Sequence, residues 1–288
     1  MEEPRQRALA PMLYLAATPI GNLEDMTLRA VRVLENVSCI YCEDTRHTAA
    51  LLNRLAIKKP LVSCHEHNEA ERADEIIRRV RSGEAVAFVS DAGMPGISDP
   101  GERLIAACIQ ESVPFTVLPG ASASLTALVL SGFPSRGACF YGFLPRDAKP
   151  RREAIASLAG HRGTLIFYES PLRIAATCAE LATALGDRPA ALVRELTKVY
   201  EEAVREPLSA LAARYAEMPP RGECVLLVSG AQDAPAATEA DVRAMLEPLL
   251  ARGVRAKDAA KEAAALLGTS RNEAYRIALE IKNGGEEA

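Results

Sequence analysis

Short apolar runs alternate along the first half of the chain with segments in which apolar residues recur at helical spacing. The apolar runs predict strands over 13–18, 38–42, 61–64, 85–90 and 115–118. The segments that follow them predict helices over 27–36, 46–55, 69–81, 103–111 and 122–130. Strands this apolar, separated by helices, are typical of a mainly parallel sheet that is covered on both faces.

The pattern changes after a break at 131–137, which contains Gly132, Pro134 and Gly137. Beyond it we predict strands over 138–144, 163–169, 190–197, 201–206 and 224–229. Helices are predicted over 151–158, 172–185 and 208–217. Some of these strands follow each other without a helix between them, so we expect a second α/β lobe with mixed strand pairing.

A linker rich in Ala and Pro, 231–237, leads to a helical region over 238–282. Its last part predicts a helix over 256–267, a turn at 268–270 and a helix over 271–281. Gly268 suits the end of the first of these helices, and Ser270 with Glu273 fits a capping box at the start of the second.

The changes in pattern divide the chain into three predicted domains. We expect an N-terminal α/β lobe over 12–131, a C-terminal α/β lobe over 132–230 and a small all-helical appendage, like a helix-turn-helix, over 238–288.

Composition limits the kinds of partner. The 288 residues are 49% apolar and 25% charged, which is enough apolar material for a sizeable core. The net charge is −4 and aromatic residues make up 5%, so a nucleic acid would have to be held by a local basic patch. No apolar run is long enough to cross a bilayer, and residues 1–11 lack a signal-peptide apolar segment. We expect a cytoplasmic protein with no membrane partner.

The cysteines and histidines do not predict a metal site. The seven cysteines lie mostly in apolar segments without framework spacing, so reduced and buried thiols are expected. Cys39 and Cys42 have CxxC spacing, but on a strand residues three apart face opposite sides. His65 and His67 could share one face of a strand, although two histidines without further ligands more often belong to a polar loop.

Five polar clusters follow predicted strands. The longest is the glycine-rich loop 90–101, whose three glycines and two prolines can bring backbone groups close to a ligand. Each cluster taken singly could be an ordinary tight loop, but at the carboxyl ends of strands in two lobes they could together line a cleft. The other four clusters span 18–25, 118–124, 167–173 and 194–198.

The motifs in these clusters, together with two further runs at 43–46 and 65–69, make the chain resemble the bacterial 16S rRNA (cytidine-2′-O)-methyltransferases of the tetrapyrrole methylase superfamily. They occur in family order across residues 13–230, and one departure is Met94-Pro95-Gly96, where the family has Thr-Pro and a larger residue. The matching runs are Ala17-Thr18-Pro19-Ile20-Gly21-Asn22-Leu23-Glu24-Asp25, Glu43-Asp44-Thr45-Arg46, His65-Glu66-His67-Asn68-Glu69, the glycine-rich loop, Pro119-Gly120-Ala121-Ser122, Phe167-Tyr168-Glu169-Ser170-Pro171 and Arg194-Glu195-Leu196-Thr197-Lys198.

The resemblance implies an α/β, two-lobed class III methyltransferase fold with S-adenosylmethionine (SAM) in the cleft between the lobes. It also implies a homodimer and a substrate in small-subunit ribosomal RNA, within the assembled 30S subunit, rather than DNA. By position, the family's cofactor contacts correspond to Thr18, Pro19, Asp91, Ala92, Gly93, Ile97, Ala121, Ser122, Tyr168 and Leu196.

A ribose hydroxyl is a poor nucleophile, so a general base or a hydrogen-bond acceptor should assist methyl transfer. Neither the residues nor the resemblance chooses among the candidates Glu24, Asp25, Asp44, His65 and Glu169. Substrate contacts are expected from polar and basic residues of the same loops and of the basic segment 144–152, namely Asn22, Arg46, Asn68, Arg146, Lys149, Arg151, Arg173 and Lys198.

Two basic regions leave alternatives open. The segment 144–152 holds four basic residues against one acid and is either a solvated loop or an RNA contact. Between 251 and 282 the local charge is +3, and Arg271 and Arg276 on the last helix could touch RNA, or the helices could pack on the body or form dimer contacts. A tetrapyrrole methylase and a non-catalytic RNA-binding factor are the rival functions.

Overall fold

The computed structural model describes residues 8–232 and 237–284. Its contacts divide the chain into two compact units, residues 1–231 and 232–288. The first unit contains both sheets, and the second contains the C-terminal helices.

The first sheet has the strand order β3-β2-β4-β1-β5, and all its strands are parallel, as the sequence predicts. Its strands are β1 (Leu13–Ala16), β2 (Ile40–Cys42), β3 (Leu61–Ser63), β4 (Val86–Val89) and β5 (Phe115–Leu118). The helices of this half are α1 (Leu28–Asn36), α2 (Thr45–Arg54), α3 (Glu69–Arg81), α4 (Glu102–Gln110) and α5 (Ala123–Ser131).

Strand residues alternate between two buried clusters on the two faces of this sheet. In β1, Leu13 and Leu15 belong to one cluster, and Tyr14 and Ala16 belong to the other. The cysteines at positions 39 and 42 likewise fall in different clusters, so the two thiols are not on one face. This two-sided burial explains why the three inner strands, β1, β2 and β4, are apolar at every position.

The second sheet has the order β6-β7-β10-β8-β9, with β6 parallel to β7 and the remaining pairs antiparallel. The predicted mixed pairing is therefore confirmed. Its strands are β6 (Cys139–Phe143), β7 (Leu165–Glu169), β8 (Pro189–Arg194), β9 (Glu202–Pro207) and β10 (Cys224–Val228). Its helices are α6 (Ala148–Ser157), α7 (Ile174–Leu185) and α8 (Leu208–Arg214), and α5 contacts strands β7, β8 and β10.

Helix α6 begins three residues earlier than predicted. Pro150 is compatible with the first turn of a helix, because the amide that proline lacks would have no intrahelical partner there. The basic segment 144–152 is consequently half loop and half helix rather than one loop.

The second unit consists of α9 (Glu239–Ala251), α10 (Ala256–Leu267) and α11 (Arg271–Gly284). Small residues such as Ala259 and Ala263 of α10 are fully buried, which lets the helices approach closely. Gly268 has φ +66° and ends α10 in the left-handed conformation, as predicted. Residues 233–236 of the predicted linker lie outside the described residues.

Of the two hydrogen bonds of the capping box predicted at Ser270, the structure shows one. The Ser270 hydroxyl accepts a hydrogen bond from the Glu273 amide at 3.1 Å, but the Glu273 carboxylate accepts from Arg276. A complete capping box occurs instead at the start of α9, where Thr238 and Asp241 bond reciprocally. Across residues 8–232 and 237–284, no helix is long and apolar enough to span a membrane.

A buried carboxylate links α3 to the end of the glycine-rich loop. Helix α4 follows Gly101, which has no side chain to cap it. The Glu69 carboxylate, 4% exposed, accepts hydrogen bonds from the Gly101 amide at 3.0 Å and the Leu104 amide at 3.1 Å. Glu69 therefore satisfies free amide donors of a helix that is distant in sequence, and it fixes where the loop ends.

We predict that Glu69→Ala lowers the free energy of unfolding by about 2 to 4 kcal/mol, because it leaves two buried amides without an acceptor. Chemical denaturation measures this change. Glu71→Ala is the matched control, since Glu71 is exposed on the same helix and should cost less than about 1 kcal/mol. Equal losses in the two variants would contradict the capping role.

Candidate functional site

Loops from both lobes enclose a cavity of about 430 Å³ at the carboxyl ends of β1, β4 and β5. The second lobe contributes the segment after β7, Leu196 after β8 and the residues that enter β10. A cavity of this size falls in the range of small-molecule sites. Its lining residues are Ile20, Ala92, Gly93, Met94, Ile97, Ser98, Asp99, Ser122, Ala123, Phe143, Tyr168, Glu169, Ser170, Pro171, Leu196, Gly222, Glu223, Cys224 and Val225.

Hydrogen bonds hold the glycine-rich loop against the loop after β1. The Thr18 amide donates to the Gly93 carbonyl at 2.9 Å, and the Gly93 amide donates back to Thr18 at 3.0 Å. The Thr18 hydroxyl donates to the Ser90 carbonyl, and the Ser90 hydroxyl donates to the Gly93 carbonyl. Gly93 has φ +78°, a conformation that side chains disfavour, so the bridge needs glycine at this position.

The two lobes approach each other closely at Gly21. A Cβ atom at Gly21 would lie 2.6 Å from Cγ of Lys198 and 2.8 Å from the carbonyl oxygen of Leu196. The third residue of the Pro19-Ile20-Gly21 turn therefore has to be glycine for the loops after β1 and β8 to meet.

Most of the predicted cofactor residues converge on the cavity. Ala92, Gly93, Ile97, Ser122, Tyr168 and Leu196 line it. Pro19 and Asp91 line a second, adjoining cavity. Thr18 is buried beneath the glycine-rich loop and holds it, while Ala121 packs beside it with its carbonyl 3.6 Å from a Cβ built at Gly93.

Comparison with known proteins identifies the family. Residues 12–212 match the model of the Tetrapyrrole (Corrin/Porphyrin) Methylases. The chain belongs to this family. Residues 236–282 match the RsmI C-terminal HTH domain. The fold is thus that of the class III methyltransferases with a helical C-terminal addition, as the sequence motifs imply.

Two relatives match this methylase over nearly its whole length, and both are named Ribosomal RNA small subunit methyltransferase I. The protein from Synechocystis sp. is 41% identical over 95% of this chain and 99% of its own. The protein from Micromonospora olivasterospora is 46% identical over 91% of this chain and 85% of its own.

Solved structures share the two-lobed body. Uroporphyrin-III-C-methyltransferase from Thermus thermophilus is 25% identical, covers 76% of this chain and 94% of its own, and has a TM-score of 0.54. Cobalt precorrin-4 methyltransferase is 18% identical, covers 76% and 95%, and has a TM-score of 0.56. The second likeness bears on the fold alone.

The candidate bases of this methylase have different surroundings. Hydrogen bonds from the side chain and backbone of Arg46 lower the pKa of Asp44 to about 2. The Glu169 carboxylate accepts from the Thr177 hydroxyl at 2.7 Å and lies 3.8 Å from Arg151 and 3.4 Å from Arg173. Both carboxylates are therefore held by cationic or hydrogen-bonding partners within the protein.

Glu169 lines the larger cavity, whereas Asp44, Glu24, Asp25 and His65 do not. Glu24 and Asp25 are exposed in a short 3-10 turn, Leu23–Asp25. His65 has a buried Nδ1 atom without a hydrogen-bond partner in the described part of the chain.

Several predicted substrate residues make contacts within the protein. The Asn68 side chain accepts from the His65 amide and donates to the Ser63 carbonyl, which fixes the turn before α3. The Asn22 side chain accepts from the Glu24 amide. Arg46 is paired with Asp44, Arg173 with Glu169, and Lys198 with Glu195 and Glu223.

Arg151 does not lie at the substrate surface where it was predicted. It is 6% exposed, pairs with Glu169 and Glu180, and donates to the Thr177 hydroxyl at 2.7 Å. The Arg151 guanidinium is therefore part of an internal network of ion pairs and hydrogen bonds in the second lobe. Arg146 and Lys149, from the same basic segment, are exposed.

Asp99 is the titratable group that the sequence interpretation missed. It lines the larger cavity, and burial raises its pKa to about 6, helped by the carboxylates of Glu43 and Asp91. The second aspartate of the glycine-rich loop was visible in the sequence, but its burial and its acidic neighbours depend on the fold. A carboxyl with this pKa is ionised near neutral pH and is a stronger base than an ordinary carboxylate.

We predict that Asp99→Asn changes how stability depends on pH. The carboxyl ionises near pH 3.9 in an unfolded chain and near pH 6 in the folded protein. The folded state thus binds more protons between these values, so the wild-type free energy of unfolding falls as the pH rises from about 4 to about 6. The variant lacks this fall. Its melting temperature relative to wild type should be higher at pH 8 than at pH 4, and an equal difference at both would contradict the raised pKa.

Proposed function

We propose that this protein transfers a methyl group from SAM to the ribose 2′-oxygen of a cytidine in small-subunit ribosomal RNA, in the cytoplasm. The observation that carries the proposal is the likeness, at 41–46% identity, to relatives named for that ribosomal RNA over more than nine-tenths of this chain. This likeness includes the helical unit, which a methylase of small molecules would not need.

The larger cavity fits SAM. Ala92, Gly93, Ala123 and Gly222 present small or absent side chains, so a ligand can approach the backbone of three loops. Carboxylates of Asp99 and Glu223 suit hydroxyl and ammonium groups, and Ile97, Tyr168 and Leu196 provide apolar surface. When bound, SAM supplies an electrophilic methyl group on a positively charged sulfur.

The protein's own contribution is mainly positional. In-line displacement at a methyl group requires the acceptor oxygen to be held in one direction, and the fixed loops at 18–21 and 91–99 provide rigid walls for this purpose. An ionised Asp99 provides a proton acceptor at the cavity wall above about pH 6.

A tetrapyrrole methylase is the second candidate, favoured by the 25% identity to uroporphyrin-III-C-methyltransferase. Methyl transfer from labelled SAM decides between them. Purified small ribosomal subunits from cells that lack this gene are one acceptor, and uroporphyrinogen III is the other. Nuclease digestion and nucleoside mass spectrometry should find 2′-O-methylcytidine, whereas label on the tetrapyrrole and none on RNA would contradict the proposal.

We propose that the three domains defined from the sequence are functional units. We also propose that exposed basic residues of the second and third domains contact the RNA. Exposed Arg146 and Lys149 lie at the start of α6, and Arg271 is exposed at the start of α11. Arg276 suits this role less well, because Glu239, Glu273 and Glu280 surround its guanidinium.

We also propose a homodimer. Helix α5 exposes 64% of Leu125 and 82% of Val129, which lie one turn apart on the same face. Light scattering of the purified protein should give the mass of two chains, and Val129→Asp should shift it toward one. A monomeric wild type would contradict the proposal.

We predict that Ala123→Leu raises the dissociation constant for SAM about tenfold or more, because the larger side chain enters the cavity. Isothermal titration calorimetry measures this constant. Thr126→Leu, one turn further along α5 and exposed, is the control and should bind SAM normally. Unchanged binding in the Ala123 variant would place SAM elsewhere.

A further inference from the structure

A second cavity, of about 290 Å³, adjoins the larger one. The two share Ile20, Ala92 and Glu223. The second cavity is bounded by the loop after β1, by one face of α2 and by the Lys198–Glu223 ion pair. Its size is close to the lower limit of small-molecule sites, roughly 300 Å³, which suits a single nucleotide of an extended strand.

The α2 wall of this cavity is cationic. His47, Leu51 and Arg54 all line it, and their spacing of four and seven residues places them on one face of the helix. Arg54 is exposed, and no described residue forms a hydrogen bond or ion pair with its guanidinium. The guanidinium is therefore available to a ligand.

The other charged groups of the cavity already have partners. The Lys198 ammonium donates to Glu195 and to Glu223, each at 2.9 Å. The Asp91 carboxylate accepts from the Asp44 amide at 3.2 Å. Arg54 and His47 thus make the α2 wall the side of the cavity that attracts an anion.

We propose that the second cavity receives the acceptor nucleotide of the RNA, with a backbone phosphate bound by Arg54 and His47. This assignment rests on the proposed function. Guanidinium groups bind phosphate through paired hydrogen bonds, and imidazole can donate one more. A phosphate at α2 directs the attached sugar toward Ile20, Ala92 and Glu223, the residues common to both cavities. Leu23 and Leu51 give apolar surface to the rest of the nucleotide.

The test compares Arg54→Gln and His47→Gln with Arg78→Gln as control. Arg78 is also exposed, but it lies near the end of α3, which runs from the carboxyl end of β3 toward the opposite edge of the sheet. Methyl transfer to small ribosomal subunits gives KM and kcat at several salt concentrations, and calorimetry gives SAM affinity.

For Arg54→Gln we expect KM for the subunit to rise about tenfold, with kcat and SAM affinity within about twofold of wild type. The slope of log affinity against log salt should fall by roughly 0.7 to 0.9, the loss of one phosphate contact. Arg54→Lys should restore the slope while KM stays intermediate, because lysine keeps the charge without the paired geometry. His47→Gln should raise KM by a smaller factor.

Three results would overturn the assignment. If Arg54→Gln keeps the wild-type KM and salt slope, no phosphate binds there. If it loses SAM affinity instead, the second cavity belongs to the cofactor. If the wild type methylates no RNA at all, the proposed function fails and the nucleotide site fails with it.

Discussion

Hydrogen bonds to the loop after β1 fix the conformation of the glycine-rich loop. This loop lines the larger cavity together with residues of the second lobe. The backbone amide and carbonyl of Thr18 both form hydrogen bonds with Gly93. The Thr18 hydroxyl donates to the Ser90 carbonyl, and the Ser90 hydroxyl donates to the Gly93 carbonyl. At the other end of the loop, Glu69 holds the Gly101 amide. The walls of both cavities depend on these fixed points, because Ala92, Gly93 and Asp99 lie between them.

Charge in the cleft is mostly compensated within the protein. Arg151 and Arg173 neutralise Glu169, and Glu195 and Glu223 neutralise Lys198. Two charged side chains in the cleft, Asp99 and Arg54, are not compensated in this way. Asp99 is half-buried beside other carboxylates, and this burial, with the neighbouring charges, raises its pKa to about 6. Arg54 carries a charge that no described residue pairs. A proton acceptor and an anion-binding group therefore line adjoining cavities, an arrangement that suits transfer to an oxygen next to a phosphate.

The sequence predicted much of the fold because its signals are local. Helix α3 was predicted at its observed bounds, and β5 likewise, since hydrophobic periodicity and the flanking turns define such elements. Several strand ends were predicted one or two residues too long, because residues such as Thr18 leave the ladder while remaining buried. The loops expected to hold the cofactor were identified from motif order, and six of the ten residues named line the larger cavity.

The remaining features depend on contacts between distant residues. Nothing local in the sequence indicates that Arg151 pairs with Glu169 inside the second lobe, or that Glu69 caps a helix that starts more than thirty residues later. The same holds for His47 and Arg54. Their sequence context is that of an ordinary amphipathic helix, and only the fold shows that they line a cavity together with Ala92. The sequence shows where charged residues occur along the chain. Which of them form ion pairs or become buried depends on how the fold brings distant segments together.

We propose that the cofactor lies in the larger cavity between the lobes. A crystal structure of the protein with S-adenosylhomocysteine tests it most directly. We expect ligand density against the glycine-rich loop, the start of α5 and the residues that enter β10. Density confined to the second cavity, or located away from the cleft, would contradict it.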